Sequence, residues 1–144
     1  MRKINPKLKE FVKDCLRDSA WNIGVSHFNV DILYMKDKKD SECECDGIVM
    51  AEMRTDRRYL TATLKIYPYV EEKWNKGEKD LVREVIHHEV AHLATQHLRD
   101  CAEARFCETG ELKDAWETLT TVVGRLSLEL DTYKRKEHGG KTKK

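Results

Sequence analysis

Two histidines and a glutamate in one short run of the sequence have the residue types and the spacing of a metal-binding catalytic site. His88 and His92 are four residues apart, and Glu89 directly follows the first histidine. On a helix, residues four apart lie on one face, so both imidazoles can point at one metal ion. A bound metal lowers the pKa of water towards about 7, and Glu89 is placed to accept the proton.

The residues around this run predict that it lies on a buried helix. Its flanks are uncharged: Val85, Ile86, Val90, Ala91, Leu93 and Ala94. Asn75 and Glu78 have the spacing of a capping box, so the helix is expected to start there and to run to about residue 99. His87 points about 100° away from His88 around such a helix and is therefore not expected to be a ligand.

The remaining segments predict an α+β fold around the metal helix. Asn5-Pro6 is a helix start signal and predicts an N-terminal helix over residues 6–20. Alternating apolar residues predict a small, mainly antiparallel sheet of three strands, at 28–35, 47–54 and 58–67. The second and third strands form a hairpin around residues 55–57.

The second half of the chain is predicted to be helical, with short connections. Residues 69–74 are interpreted as a connecting segment and residues 100–113 as a loop. Apolar residues three and four apart predict a last helix from about Asp114 to Tyr133. Residues 1–133 therefore form one expected domain, and 134–144 a basic, disordered tail.

Composition narrows the class of protein. The chain has 144 residues, with 27 basic against 26 acidic side chains, so its global charge gives no reason to expect nucleic acid or an anionic membrane as partner. It shows no signal peptide and no apolar run long enough to span a membrane, so a cytoplasmic location is expected. The sequence makes no prediction about the oligomeric state.

The five cysteines do not form a secreted disulfide framework, and free thiols in a reducing compartment fit them better. Cys43 and Cys45 lie in an acidic loop and raise the possibility of a second metal site. Without a second matching pair, they lack the spacing of a zinc site. Cys101 and Cys107 follow the metal helix and could be bridged or hold a metal together, although free thiols are the default.

The run from His88 to His92 resembles the zinc helix of the zincin metallopeptidases. In the gluzincin branch the third ligand is a glutamate on a following helix, and Glu117 is the residue that matches it. The order of elements is similar to that of small phage- and prokaryote-type HExxH metallopeptidases, which implies a minimal zincin-like domain. The resemblance also implies that the strand at residues 58–67 could pair its edge with an extended substrate.

Other assignments of the third ligand stay open. Asp114 and Glu117 have capping-box spacing, so Glu117 could instead fold back on the start of its own helix. The further candidates are Glu111, Asp114, His97 and Asp100. Gluzincins commonly carry an aspartate four residues after the ligand glutamate, where this chain has Thr121, whose hydroxyl could accept the same ring N–H less strongly.

The leading prediction is a zinc peptidase that cleaves a peptide or protein substrate, with His88, His92 and Glu117 as metal ligands and Glu89 as general base. Zinc is the metal expected from the types of ligand, although cobalt, nickel or iron also suit two imidazoles and a carboxylate. Four residues are candidate donors to the oxyanion: Tyr59, Tyr67, His97 and Arg99.

Two other functions are considered. Immunity proteases that cleave repressors and SprT-like proteases that act near DNA also carry this motif, so the chain could be a metal-binding regulator. Its basic tail would then contact a protein partner or phosphates, although a solubilising role is the expected one. In the other alternative no metal binds, and the histidines only pack within a helical core.

Overall fold

Four helices and two small sheets form the part of the chain that the computed structural model describes. That part is residues 4–40, 47–56, 59–103 and 109–139, apart from the side chains at 39–40, 97–98, 100–103, 109, 111 and 138–139. The helices are α1 Pro6–Asn22, α2 Pro68–Asn75, α3 Lys79–Glu103 and α4 Thr109–Gly139. The strands are β1 Asn29–Tyr34, β2 Lys39–Asp40, β3 Ile48–Val49, β4 Ala51–Asp56 and β5 Thr61–Ile66. The predicted α+β class, the three-stranded sheet and the two terminal helices are confirmed.

The three-stranded sheet has the order β1-β5-β4 and is mixed. β4 and β5 form the predicted antiparallel hairpin, but β4 includes Thr55 and Asp56, so the connection comes later than the predicted residues 55–57. β1 runs parallel to β5. The prediction of a mainly antiparallel sheet is therefore wrong for one of its pairings, because apolar residues alternate in the same way in strands of either direction. β5 is paired on both sides, so the expectation that residues 58–67 offer a free edge to substrate is also wrong.

The start of α1 follows the sequence signal. The side chain of Asn5 accepts a hydrogen bond from the backbone N–H of Lys7 at 2.9 Å, and Pro6 occupies the first turn. The helix continues slightly past the predicted end, to Asn22. Gly24 then turns the chain towards β1 with a φ of 73°, a conformation that glycine adopts without strain.

A short helix stands where the sequence was interpreted as a connection. Pro68 occupies the first turn of α2, where proline is favoured, and Val70 is fully buried. Gly77, with a φ of 84°, separates α2 from α3, so α3 begins at Lys79 and not near residue 75. The predicted capping box does not form, because Asn75 ends α2 and Glu78 instead accepts a hydrogen bond from Lys73.

α4 is longer than predicted at both ends, since it begins at Thr109 and continues to Gly139. The predicted loop at 100–113 is thus too long, and residues 104–108 lie outside the described residues. The predicted tail begins within the helix, where Lys134 donates to Asn22 and Arg135 lies 3.2 Å from Asp131. Residues 140–144 lie outside the described residues. Among the helices described, none combines the length and the apolarity needed to cross a bilayer.

α3 lies at the centre of the fold and packs against α1, α2, α4 and β4. The core contains fully buried side chains from α1, β5 and α3: Leu8, Val12, Leu64, Val82, Ile86 and Val90. Cys15 is buried in this core as a free thiol. The other four cysteines, and with them the possible second metal site, lie outside the described side chains. Because the metal helix is packed on several sides, its histidines are held by the core.

Candidate metal centre

α3 and α4 bring three potential metal ligands together. His88, His92 and Glu117 each offer a ligand atom, and these atoms all lie within 4.8 Å of one another. Nε2 of His88 is 3.6 Å from Oε2 of Glu117. Among the side chains that the structure describes, these three form the one group of His, Cys, Asp or Glu residues close enough together to hold a metal ion. The residues proposed from the sequence as ligands therefore converge on one point.

Glu117 is not a helix cap. Asp114 lies inside α4, where its carbonyl accepts a hydrogen bond from Thr118 at 2.8 Å, so it does not occupy the N-cap position. The capping-box interpretation of Glu117 is therefore wrong. The carboxylate instead interacts with His88, which lowers the pKa of Glu117 and raises the pKa of His88.

A glycine on α4 allows the close approach of the two helices. A Cβ atom at Gly124 would lie 3.1 Å from Cα of His88 and 3.4 Å from its backbone nitrogen. These are backbone atoms of α3, which cannot rotate away as a flexible side chain can. Gly124 lies two turns after Glu117 on the same side of α4, so this contact shows how the side of α4 that carries Glu117 approaches the metal helix.

We expect Gly124→Ala to separate α3 from α4 at His88. Alanine normally stabilises a helix interior by roughly 0.5–1 kcal/mol relative to glycine, whereas overpacking costs about 1–3 kcal/mol. The matched control is Gly110→Ala in the same helix, where an added Cβ meets no atom within 4 Å. Urea unfolding should find the Gly124 variant less stable than the control and zinc titration should find weaker binding, and equal behaviour of the two variants would contradict the close approach.

The environment of His92 suits a neutral metal ligand. The side chain is 8% exposed and its ring lies 4.5 Å from the ring of Trp116, centroid to centroid. Burial lowers the pKa of His92 to about 4, so the imidazole is uncharged at neutral pH, as a ligand must be. Its Nδ1 is buried and has no hydrogen-bond partner among the described residues, so the hydroxyl of Thr121 does not accept a hydrogen bond from it.

Glu89 is held in a fixed orientation beside the ligands. It is 9% exposed, and its Oε2 accepts a hydrogen bond of 2.7 Å from the backbone N–H of Met53 on β4. Burial raises the pKa of Glu89 to about 7. A carboxyl group with such a pKa can both accept and release a proton near neutral pH.

A polar cluster that the sequence did not predict joins α3 to α4 beside the site. Thr95 Oγ1 lies 2.7 Å from Thr120 Oγ1, and the indole N–H of Trp116 donates to Thr95 at 3.1 Å. Both threonines are buried. The cluster fixes the ring that packs on His92. Its only sequence signal was the presence of Thr95 and Thr120 on the two helices.

His87 points away from the ligand cluster and takes part in a second polar cluster. It is 1% exposed, and its Nδ1 lies 2.9 Å from Ser127 Oγ, which in turn lies 3.0 Å from Ser19 Oγ. Burial lowers the pKa of His87 to about 4, so the ring is neutral. This cluster connects α1 and α4 to the metal helix α3 and fixes the relative positions of the three helices.

The candidate oxyanion donors differ in where the structure places them. Tyr67 is buried and donates its hydroxyl to Glu52 at 2.9 Å, while Tyr59 is 76% exposed in the turn before β5. Arg99 stacks on Trp116, with its guanidinium 4.3 Å from the ring centroid, and thereby lies next to the ring that contacts His92. The side chain of His97 lies outside the described residues.

The donor set fits a catalytic zinc ion. Such sites commonly use three protein ligands of the nitrogen and oxygen type and leave one position for water. Ligand atoms at about 2.0–2.1 Å from a tetrahedral zinc are roughly 3.4 Å apart, close to the 3.6 Å between His88 and Glu117. The neutral, partly unpartnered ring of His92 agrees with this assignment.

A groove opens directly beside these residues. It has a volume of about 360 Å³, and His88 and Glu89 form part of its wall. The rest of the wall is mostly apolar: Ile48, Val49, Met50, Ala51, Leu81, Glu84 and Val85. A space of this size and composition can accept an apolar side chain of a molecule that binds next to His88, His92 and Glu117.

No family model, curated protein or solved structure matches the chain.

Proposed function

We propose that the chain is a zinc-dependent metallopeptidase, in which His88, His92 and Glu117 hold the metal and Glu89 is the general base. The observation that carries this proposal is the convergence of the three ligand atoms within 4.8 Å, next to the buried carboxylate of Glu89. A zinc ion held there supplies a polarising positive charge and lowers the pKa of bound water towards about 7.

Each protein residue has a distinct part in this reaction. Met53 holds Oε2 of Glu89 through its backbone N–H, so we assign proton transfer to Oε1. Glu89 takes a proton from the attacking water and later delivers it to the amine that leaves. Trp116 shields one side of His92 and keeps its ring in place. Arg99, stacked on Trp116, is our candidate for the oxyanion donor.

The groove beside His88 supports a peptide as the substrate. Its apolar wall would accept an apolar residue next to the bond that is cleaved. β4, and not the predicted β5, is the strand at the edge of the sheet nearest to α3. The backbone of β4 already contacts Glu89 through Met53, so a peptide in the groove lies within reach of the base.

Metal analysis tests the ligand set. We expect about one zinc per chain in protein purified without added metal or chelator, and its loss in Glu117→Ala. Asp114→Ala, which removes an exposed acid from the preceding turn of α4, is the matched control and should keep the metal. Zinc retained in the Glu117 variant, or lost in the control, would assign the third ligand elsewhere.

Peptide cleavage tests the reaction itself. Zinc-loaded wild-type protein should cleave members of a mixture of internally quenched peptides, with apolar residues next to the cleaved bonds. A chelator should stop the cleavage and added zinc should restore it. Full zinc occupancy with no cleaved peptide would refute the peptidase and leave a metal-binding protein.

A further inference from the structure

The outer face of α4 carries a row of exposed apolar side chains. Five of them are between 37% and 62% exposed: Leu119, Val122, Leu126, Leu130 and Tyr133. On an ideal helix all five lie within about 40° of the direction of Leu126. We call them the α4 stripe. Scattered single apolar residues are normal on a surface, but a continuous row along one helix indicates a binding surface.

The stripe is symmetric about its central residue. Val122 and Leu130 lie four residues before and after Leu126, and Leu119 and Tyr133 lie seven residues before and after it. Spacings of three and four residues also describe the contact seam of paired helices. In an antiparallel pair of identical helices, a two-fold axis at Leu126 places each residue at the level of the residue that lies equally far on the other side of Leu126. A symmetric stripe therefore brings apolar residues opposite apolar residues.

We propose that the α4 stripe binds the α4 stripe of a second copy of this chain, with the two helices antiparallel and the two-fold axis at Leu126. Leu126 then meets its counterpart at the axis. Val122 packs against Leu130 of the other copy, and Leu119 packs against Tyr133. Every apolar residue of the stripe has an apolar partner in this arrangement.

Charged residues beside the stripe favour the antiparallel orientation. Arg125 and Glu129 are exposed and lie on the same flank of the stripe, about 40° apart around the helix. In the antiparallel pair this flank meets the same flank of the second copy. Measured along the helix axis, Arg125 of one copy is then within about 3 Å of Glu129 of the other. Two reciprocal ion pairs result. In a parallel pair the flank would face Val123 and Lys134, and Arg125 would meet no acid.

The size of the surface agrees with a reversible dimer. The largest apolar patch on a typical monomer is about 300–600 Å², and a stable interface buries about 800 Å² on each partner. The five side chains of the stripe, each only partly exposed, supply about as much as such a patch, and exposed residues on its flanks supply the remainder. Interfaces of standard size range from about µM to pM in dissociation constant, and one with so small an apolar centre is expected at the weak end, on the order of 1 µM.

The proposed dimer leaves the metal centre open. Glu117 points about 180° away from Leu126 around α4, so the ligand cluster and the stripe lie on opposite faces of the helix. The groove beside His88 is formed by α3 and the strands, and it contains no residue of the stripe. The second copy therefore adds no residue to the candidate site.

Sedimentation equilibrium of the chain at about 100 µM, a hundredfold above the expected dissociation constant, tests the proposal. We expect a wild-type dimer. Leu126→Glu should raise the dissociation constant at least about 100-fold, because two carboxylates would face each other at the axis without a partner. Leu33→Glu is the matched control, since Leu33 is 49% exposed on β1 and Leu126 is 54% exposed. A wild-type monomer, or a dimer that Leu126→Glu leaves intact, would overturn the proposal.

Charge reversal tests the orientation of the two helices. Arg125→Glu and Glu129→Arg should each weaken the dimer, and the double variant should restore it, because each copy again offers opposite charges to the other. Both residues are exposed, so neither change disturbs the core. Two single variants that weaken nothing, or a double variant that remains weak, would contradict the antiparallel pair.

Discussion

Zinc-loaded Glu89→Gln is expected to bind as much zinc as the wild-type protein and to cleave peptides about 10²–10⁴-fold more slowly, the usual contribution of a general base. Glutamine has nearly the same shape as glutamate, and its side-chain oxygen can still accept the hydrogen bond from Met53. It cannot take a proton from water at neutral pH. The variant thus removes the proposed chemistry while the fold and the ligands stay unchanged.

The control for this variant is Glu10→Gln, the same chemical change at an exposed position of α1. Cleavage rates are measured on one peptide from the mixture, after zinc content has been determined for each protein. A Glu89 variant that cleaves at the wild-type rate with full zinc would exclude Glu89 as the base. Loss of zinc together with activity would instead mean that Glu89 supports the binding of the metal.

Removing the metal is expected to lower the thermal stability of the wild-type protein by a large amount. A ligand that binds only the folded state stabilises it by about 4 kcal/mol when present at a thousand times its dissociation constant. For a chain of this length, that corresponds to a decrease in Tm on the order of 10 °C when a chelator is added. Differential scanning calorimetry with and without chelator measures this difference.

His92→Ala should abolish the response to zinc. His92 is 8% exposed and packs on Trp116, so its truncation also leaves a cavity that lowers Tm by itself. The quantity to compare is therefore the shift that zinc causes within each variant. His27→Ala, which removes an exposed histidine, should keep the full wild-type shift. A zinc-induced shift of wild-type size in His92→Ala, or no shift in the wild-type protein, would argue against the ligand set.

Local patterns in the sequence determined much of the metal helix. The spacing of His88, Glu89 and His92 placed them on one helix, and the uncharged flanks predicted its burial. The structure agrees, since α3 contains all three and Ile86, Val90 and Ala91 have no exposed surface. Such predictions succeed because neighbours on one helix turn are fixed by backbone geometry alone. For the same reason the sequence predicted the start of α1 and the hairpin of β4 and β5.

Signals close to Gly and Pro were less easy to interpret. The Asn75-Glu78 spacing looked like a helix start, but Gly77 separates two helices there, and Pro68 began a helix that was not predicted. Asp114 and Glu117 likewise have the spacing of a capping box, although both lie inside α4, after its first turn. A capping pattern only shows which hydrogen bonds are available, and tertiary packing decides whether a helix ends there.

The sequence by itself determined that His88, Glu89 and His92 share a buried helix, but only the tertiary structure decided what surrounds them. Among the candidates for the third ligand, the side chains of Glu111, His97 and Asp100 lie outside those that the structure describes. Glu117 lies beside His88, where Gly124 lets α4 approach α3. The strand order likewise places β5 at the centre of the sheet and β4 at an edge, where Met53 donates to Glu89. Periodicity shows which residues share one face of an element, whereas what that face meets depends on contacts between distant parts of the chain. The apolar face of α4 is exposed for this reason, although its spacing resembles that of a buried face.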